Sequence, residues 1–488
     1  MNREAETREM KRMSLGIRRR KLDNVALAFP AATGKADSRV FRICCRLQEQ
    51  VDKTVLQEAL LETIKRYPIF NSVLRRGNFW YYFEKSKTQP VVVDEKPVPC
   101  SPLYEAGSEK MLYQVSCREN RINLEVFHAL TDGTGAIEFL TEIVKDYLWK
   151  KHGIEMAEAE TAGEAGGAAA GGPAAFAAQE EDSFQRYYSP EKQEKRSRKS
   201  EPAYQIGGRR VGQEEMRILE CTLSVQELLK KARACGVSIT EYLSAVLMQA
   251  IAESERYQKR WGKKRAGLFS SVRGVRSAAQ IRSGQTEKPP VTLMIPVNLR
   301  KYYPSKSLSN FFGLMEIEYG FPEGASFADL LAHVKKRFTE DLTKGQVAAR
   351  MNGFVRIEKN PLMHIIPLPV KDFFLKIGTT LGGRNVTAVF SNMSIISLPD
   401  CYTPYIEGFG AIASTDKLQM CACSYQDSFY ISITSKYRRT DIPAKVLEIL
   451  RREGLTVSVR NENYTGVSPF SWMAEKLKSK TRPDVFRK

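Results

Sequence analysis

His128, Asp132 and Gly133 are the residues of this chain best spaced to do chemistry, in Phe127-His128-Ala129-Leu130-Thr131-Asp132-Gly133. A histidine, with an ordinary pKa of about 6.5, can take up and return a proton at neutral pH. Upstream, residues 121–127 alternate apolar and polar side chains, which predicts a strand. Downstream, Ile137, Leu140, Val144 and Leu148 recur at three- and four-residue spacing, which predicts an amphipathic helix. His128 therefore stands where a strand ends and a helix soon begins. Thr131 or Asp132 can cap that helix by accepting a free backbone N–H.

The other three histidines read as structural. His152 opens a polar stretch and should face solvent, His333 lies inside a predicted helix, and His364 should be packed. No histidine pair has metal spacing and no carboxylate cluster joins one, so no metal is expected. A GxSxG elbow, a P-loop and a GxGxxG are absent, which removes most hydrolase, kinase and dehydrogenase readings. What remains is a lone histidine acting as base between two bound substrates. Such a base contributes about 10²- to 10⁴-fold. Alignment of two reactants supplies roughly 7–11 kcal/mol more. Together these suffice for acyl transfer from an activated donor without a covalent enzyme intermediate. Three second-half stretches could serve it: Ile295-Pro296-Val297-Asn298-Leu299-Arg300, Ser309-Asn310-Phe311-Phe312-Gly313 and Phe390-Ser391-Asn392-Met393. Taken singly, each has a plain structural reading as a surface arginine, a turn asparagine or a strand-ending turn.

The elements that must position these residues follow from length and patterning. A chain of 488 residues suggests two or three domains, and 42% hydrophobic content is enough to build their cores. No stretch reaches the roughly eighteen apolar residues of a membrane span. The charged first 21 residues lack the apolar centre of a secretory signal. Residues 1–22 read as a basic, disordered arm. Residues 23–154 read as a first α/β lobe, with a strand over 40–47, a helix opened by Asp52 and ended by Pro68, and two hairpins. Residues 155–212, low in complexity and then charged, read as a linker with short helices near 184–188. Residues 213–460 repeat the mixture of strands and covering helices, and 461–488 form a basic tail. Nine cysteines without framework or zinc spacing read as buried free thiols in a reducing cytoplasm. The net charge of +19 favours nucleotide phosphates, an acidic carrier protein or an anionic membrane surface. Nucleic acid is disfavoured, because no nucleic-acid motif accompanies the charge.

Taken together and in this order, the motifs resemble the chloramphenicol acetyltransferase-like superfamily of CoA-dependent acyltransferases. The closer likeness is to its two-lobed members: alcohol O-acetyltransferases, wax ester synthases and the condensation domains of nonribosomal peptide synthetases. It extends from about residue 23 to 452, excluding the linker. His128, Asp132 and Gly133 match its HxxxDG motif, while Pro296 to Arg300, Asn310 and Ser391-Asn392 match second-lobe signatures. The resemblance implies an α/β fold in two layers, with two lobes forming a pseudo-dimer and a tunnel between them centred on His128. It implies that Asp132 is structural and pairs with Arg300, and that Asn310, Ser391 and Asn392 lie near the tunnel. Ser391 or Asn392 are then the candidate oxyanion donors. Acyl-CoA is the implied co-substrate, with no cofactor bound permanently and an alcohol or amine as acceptor. Where condensation domains usually carry a second histidine, this chain has Phe127. Met393-Ser394 replaces the common Leu-Gly after Ser-Asn, and the plant-type DFGWG is absent. An acidic acyl carrier protein as donor is the first alternative. A non-catalytic basic protein on membranes or RNA is the second.

Overall fold

A computed structural model describes residues 19–154, 173–189, 202–255, 257, 289–438 and 441–460. The first half runs β1 (Arg19–Lys21), α1 (Ala28–Ala32), β2 (Val40–Leu47), α2 (Lys53–Arg66), β3 (Ser72–Arg76), β4 (Tyr81–Lys85), β5 (Val93–Asp94), β6 (Tyr113–Arg118), β7 (Arg121–Phe127) and α3 (Gly133–His152). Asp52 starts α2 by accepting from the Thr54 and Val55 amides, and Pro68, which cannot continue the helix, follows its end. α2 and α3 cover one face of the sheet, where Phe70 and Phe139 stack at 3.8 Å. β2 and β7 are buried along their whole length. Their charged residues are therefore paired: Arg42 with Glu125 at 2.8 Å, and Arg46 with Glu220 of the second half at 3.0 Å. A buried charge left without a partner would be strongly destabilising.

The second half runs α4 (Pro173–Glu180), α5 (Ser183–Tyr187), β8 (Arg217–Ser224), α6 (Val225–Ala234), α7 (Ile239–Ala252), β9 (Val291–Asn298), β10 (Phe312–Tyr319), α8 (Phe327–Asp341), α9 (Lys344–Lys359), α10 (Pro361–Ile365), α11 (Leu368–Gly383), β11 (Ala388–Ile395), β12 (Ile406–Ala413), β13 (Leu418–Tyr425), β14 (Ser428–Ser435), α12 (Ile442–Arg452) and β15 (Ser458–Arg460). Seven of the strands form one sheet, in the order β10-β9-β11-β13-β14-β8-β15. A five-stranded sheet has the order β12-β2-β7-β6-β5. β12 thus leaves its own half and pairs antiparallel with β2, Gly410 opposite Cys44. Two large apolar cores result, one for each sheet and its helices. Among the described residues, no single helix is long and apolar enough to cross a membrane.

Several expectations need correction. Arg19–Lys21 is not part of a disordered arm. It forms β1 on the edge of β4, Arg20 opposite Phe83, with the guanidinium 4.2 Å from the Phe83 ring centre. Residues 1–18 lie outside the described part, as do 155–172, 190–201 and the tail 461–488. Residues 173–189 are more than a linker. Gln179 is buried and donates to the Arg66 carbonyl, and Phe184 is fully buried against Phe311. The spacing of Leu243, Val246, Leu247, Ala250 and Ile251 predicts a helix from Thr240 to about Trp261, whereas α7 ends at Ala252. α9, α10 and α11 were not anticipated. All nine cysteines are free; seven are buried, Cys401 is half-buried and Cys235 is exposed.

Candidate active site

β7 ends at Phe127, and the chain turns at His128, whose backbone N–H donates to the Arg39 carbonyl at 2.9 Å. That bond ties the turn to the start of β2. Asp132 then does two things with one carboxylate. Its Oδ1 caps α3, accepting from the amides of Thr134 at 3.1 Å and Gly135 at 3.2 Å. Its Oδ2 accepts from Arg300 Nη1 at 2.7 Å and from the Phe311 amide at 2.9 Å. Arg300 in turn donates to the carbonyls of Ser307 and Ser309, each at 2.8 Å. The loop from 300 to 311 is therefore wrapped around the guanidinium. The structure brings Asp132 and Arg300 together across the two halves, both almost fully buried.

The glycine that close packing demands is not Gly133. A Cβ there would meet only Met393, at an ordinary 3.7 Å. A Cβ on Gly135 would overlap the Thr131 hydroxyl and lie 2.8 Å from the Leu308 carbonyl oxygen. Thr131 already donates to that oxygen at 2.5 Å. Gly135→Ala should therefore push α3 off the second-half loop at a cost of about 1–3 kcal/mol, whereas Gly133→Ala should cost less. Urea unfolding midpoints of the two variants check the order.

Asn310 reaches His128 directly. Its Oδ1 lies 3.1 Å from His128 Nδ1, and its Nδ2 donates to Asp23 Oδ2 at 3.1 Å. Asp23 also accepts from the amides of Asn310 and Ala26, at 3.1 and 2.8 Å. Because Asn310 offers its oxygen, Nδ1 carries the ring proton and Nε2 is left with the lone pair. Burial pushes the His128 pKa below its ordinary value, although its own backbone hydrogen bond, Asp132 and Asn310 pull the other way. The ring is thus neutral at pH 7, the state a base requires. Phe29 lies nearly parallel over it at 4.6 Å, with Phe41 and Phe312 tilted against it at 4.9 and 5.6 Å. Phe29 and Phe41 come from the first half and Phe312 from the second. A substrate reaching the Phe29 side of the imidazole has to displace that ring. A small cavity lined by Phe184, Val297, Leu299, Leu342 and Met351 shares Phe312 with this cluster, but its lining comes from residues after 180 and does not include His128.

Asp23 is the site residue that sequence reading missed. Burial, reinforced by Asp182, pushes it up to about 7 against the donors that pull it down. Between about pH 4 and pH 7 the folded chain holds a proton here that the unfolded chain has released. Stability from this group is therefore complete below about pH 4 and is lost as pH rises through about 7. Melting temperatures of wild type and Asp23→Asn, compared from pH 4 to pH 8, should shift progressively in favour of the variant. A difference independent of pH would contradict this assignment.

Ser391 and Asn392 part company. Phe390 is buried in the second-half core, so strand alternation turns Ser391 and Met393 to the other face of β11. Met393 indeed packs on the first-half core and faces Gly133. Asn392 points back with Phe390 and is committed elsewhere: it donates to Thr240 on α7 at 2.9 Å and accepts from the Ser394 amide at 3.0 Å. Of the two oxyanion candidates, only Ser391 is on the side facing the first half. The residue is half-buried, and its hydroxyl has no hydrogen-bond partner among the described residues.

The other histidines lie elsewhere. His152, exposed, meets Glu49 at 2.6 Å, and His333 Nε2 meets the Glu318 carbonyl at 2.8 Å. His364, expected to be packed, is exposed beside the edge of Trp80, because the short α10 leaves it outside the core.

No family model matches the sequence, and no curated protein matches it. Solved structures do match. The trichothecene 15-O-acetyltransferase of Fusarium sporotrichioides superposes with a TM-score of 0.52 at 10% identity, over 90% of this chain and 94% of that one. The epimerization domain from the third module of tyrocidine synthetase B gives 0.52 at 11% identity, over 90% and 95%. Polyketide synthase associated protein 5 from Mycobacterium tuberculosis gives 0.51 at 14% identity, over 88% and 96%. The likeness is one of fold: the two-lobed, chloramphenicol acetyltransferase-like fold that the motifs resemble.

Proposed function

We propose that this chain catalyses acyl transfer from a thioester to an alcohol or amine, with His128 as general base. The observation that carries this reading is the Asp23–Asn310–His128 chain of hydrogen bonds, which leaves Nε2 of a neutral imidazole unprotonated. As the acceptor oxygen or nitrogen bonds to the thioester carbonyl, its proton passes to Nε2. The carbonyl oxygen takes up negative charge, for which the Ser391 hydroxyl is the candidate donor. Collapse of the tetrahedral intermediate breaks the C–S bond, and the leaving thiolate recovers the proton from the imidazolium. Asp132 and Arg300 touch neither substrate in this scheme; they hold the loop that aims the base.

Coenzyme A is the donor we favour, and an acyl group on an acidic carrier protein is the second reading, supported by the net charge of +19. Unpaired cysteines suit a reducing cytoplasm. A thiol-release assay with acyl-CoA and a panel of alcohols and amines tests the first reading. The same assay with carrier-bound thioester tests the second, for which turnover should fall steeply with salt. No release above background from either donor, with any acceptor, would overturn acyl transfer.

A further inference from the structure

We infer that the outward face of α11 is a docking surface for an anionic lipid bilayer. Val370, Phe373, Phe374, Ile377 and Leu381 recur at helical spacing and fall within about 100° of the helix circumference. All five are exposed, Phe373 and Phe374 by 61% and 62%, and Ile365 just before the helix by 68%. Of the other large exposed apolar residues among those described, Phe79 adjoins α11 through its carbonyl, whereas Val91, Trp149 and Ile395 belong to other parts of the chain. Isolated exposed apolar residues are ordinary, but a continuous stripe marks a surface that is covered in use.

The helix is fixed in place, so this exposure is not fraying. On its inner face Leu368 and Lys371 are buried. Lys371 donates to the Phe79 carbonyl at 2.8 Å and sits 3.4 Å from the Trp80 ring centre. Asp372 accepts from Tyr81 at 2.9 Å and from Arg76 at 3.2 Å. That aspartate is the one acid between residues 361 and 384, and it faces inward. Lys376 and Arg384 are exposed and have no carboxylate partner among the described residues. A convex row of Phe, Ile, Leu and Val, flanked by cations and free of outward acids, complements the headgroup–acyl boundary of an anionic membrane.

The position has a consequence that does rest on the acyl-transfer reading. α11 packs on α1, which carries the Phe29 that covers His128. A bilayer seated on α11 would bring membrane-dissolved acceptors or acyl chains to within one helix of the base.

Co-sedimentation of the full chain with vesicles tests the proposal. Binding is expected to phosphatidylcholine vesicles containing about one-fifth phosphatidylserine, and to be roughly tenfold weaker without the anionic lipid. The double substitution Phe373→Ser, Phe374→Ser should lower binding by roughly tenfold or more with an unchanged circular dichroism spectrum, whereas Trp149→Ser should not. His128→Gln should bind like wild type, so a failure of acyl transfer and a failure of docking are read separately. Four results would overturn the docking surface: no binding to either vesicle; binding undiminished by the double substitution; a dimer that the same substitution dissociates; or, without vesicles, a cross-link from α11 to residues 461–488.

Discussion

His128→Gln is expected to lower acyl-transfer turnover by about 10²- to 10⁴-fold while leaving the fold intact. Glutamine can still donate an N–H toward Asn310, so the hydrogen bond that orients the site has a substitute while the basic Nε2 does not. A variant keeping more than about a tenth of wild-type turnover would remove His128 as the base. The wild-type pH profile gives a second check. A base must be neutral, and burial lowers the His128 pKa. The rate should therefore be level from pH 7 to pH 8 and fall only below the ordinary histidine value of about 6.5. An acid limb centred above neutrality would mean that another group titrates.

Arg300→Met should destabilise the chain by about 3–5 kcal/mol. It leaves the buried Asp132 carboxylate without its cation and strips the donor from the Ser307 and Ser309 carbonyls. Asp132→Asn should cost less, since the amide oxygen can keep both capping contacts made by Oδ1 and only the acceptor at Oδ2 is lost. Denaturant unfolding of both single variants and the double variant measures the coupling. Additive losses would show that the pair does not join the two halves. Turnover should fall with stability in each case, because the same carboxylate starts α3 and sets the loop of His128.

What could be read in advance follows from what is local. The strand–turn–helix around His128 was legible because alternation gives way to helical spacing within a few residues. A cap at Thr131 or Asp132 was legible for the same reason, and the structure uses Asp132. Asp23 was not, since its meaning comes from Asn310, 287 positions away, and nothing in Lys21-Leu22-Asp23-Asn24 announces it. Asn392 was misplaced for want of one step: Phe390 belongs to a core, so its second neighbour shares that face. α11 was hidden by Pro367, Pro369 and three glycines, and by apolar residues that point away from the protein. The pairing of β12 with β2 leaves no local mark at all.

That pairing governs the order in which the protein can be made. β2 is complete by residue 47, yet the strand that covers its free edge ends at residue 413. At about 5–20 residues per second, a ribosome needs on the order of tens of seconds to bridge the gap. Through that interval Val40–Leu47, apolar along most of its length, presents an unpaired row of N–H and C=O groups, the kind of edge that recruits a wrong strand. The first lobe can collapse early around α2 and α3, but its sheet closes only when β12 arrives. Nascent chains stalled before residue 406 should therefore aggregate through β2, and a polypeptide supplying residues 406–413 in trans should suppress it.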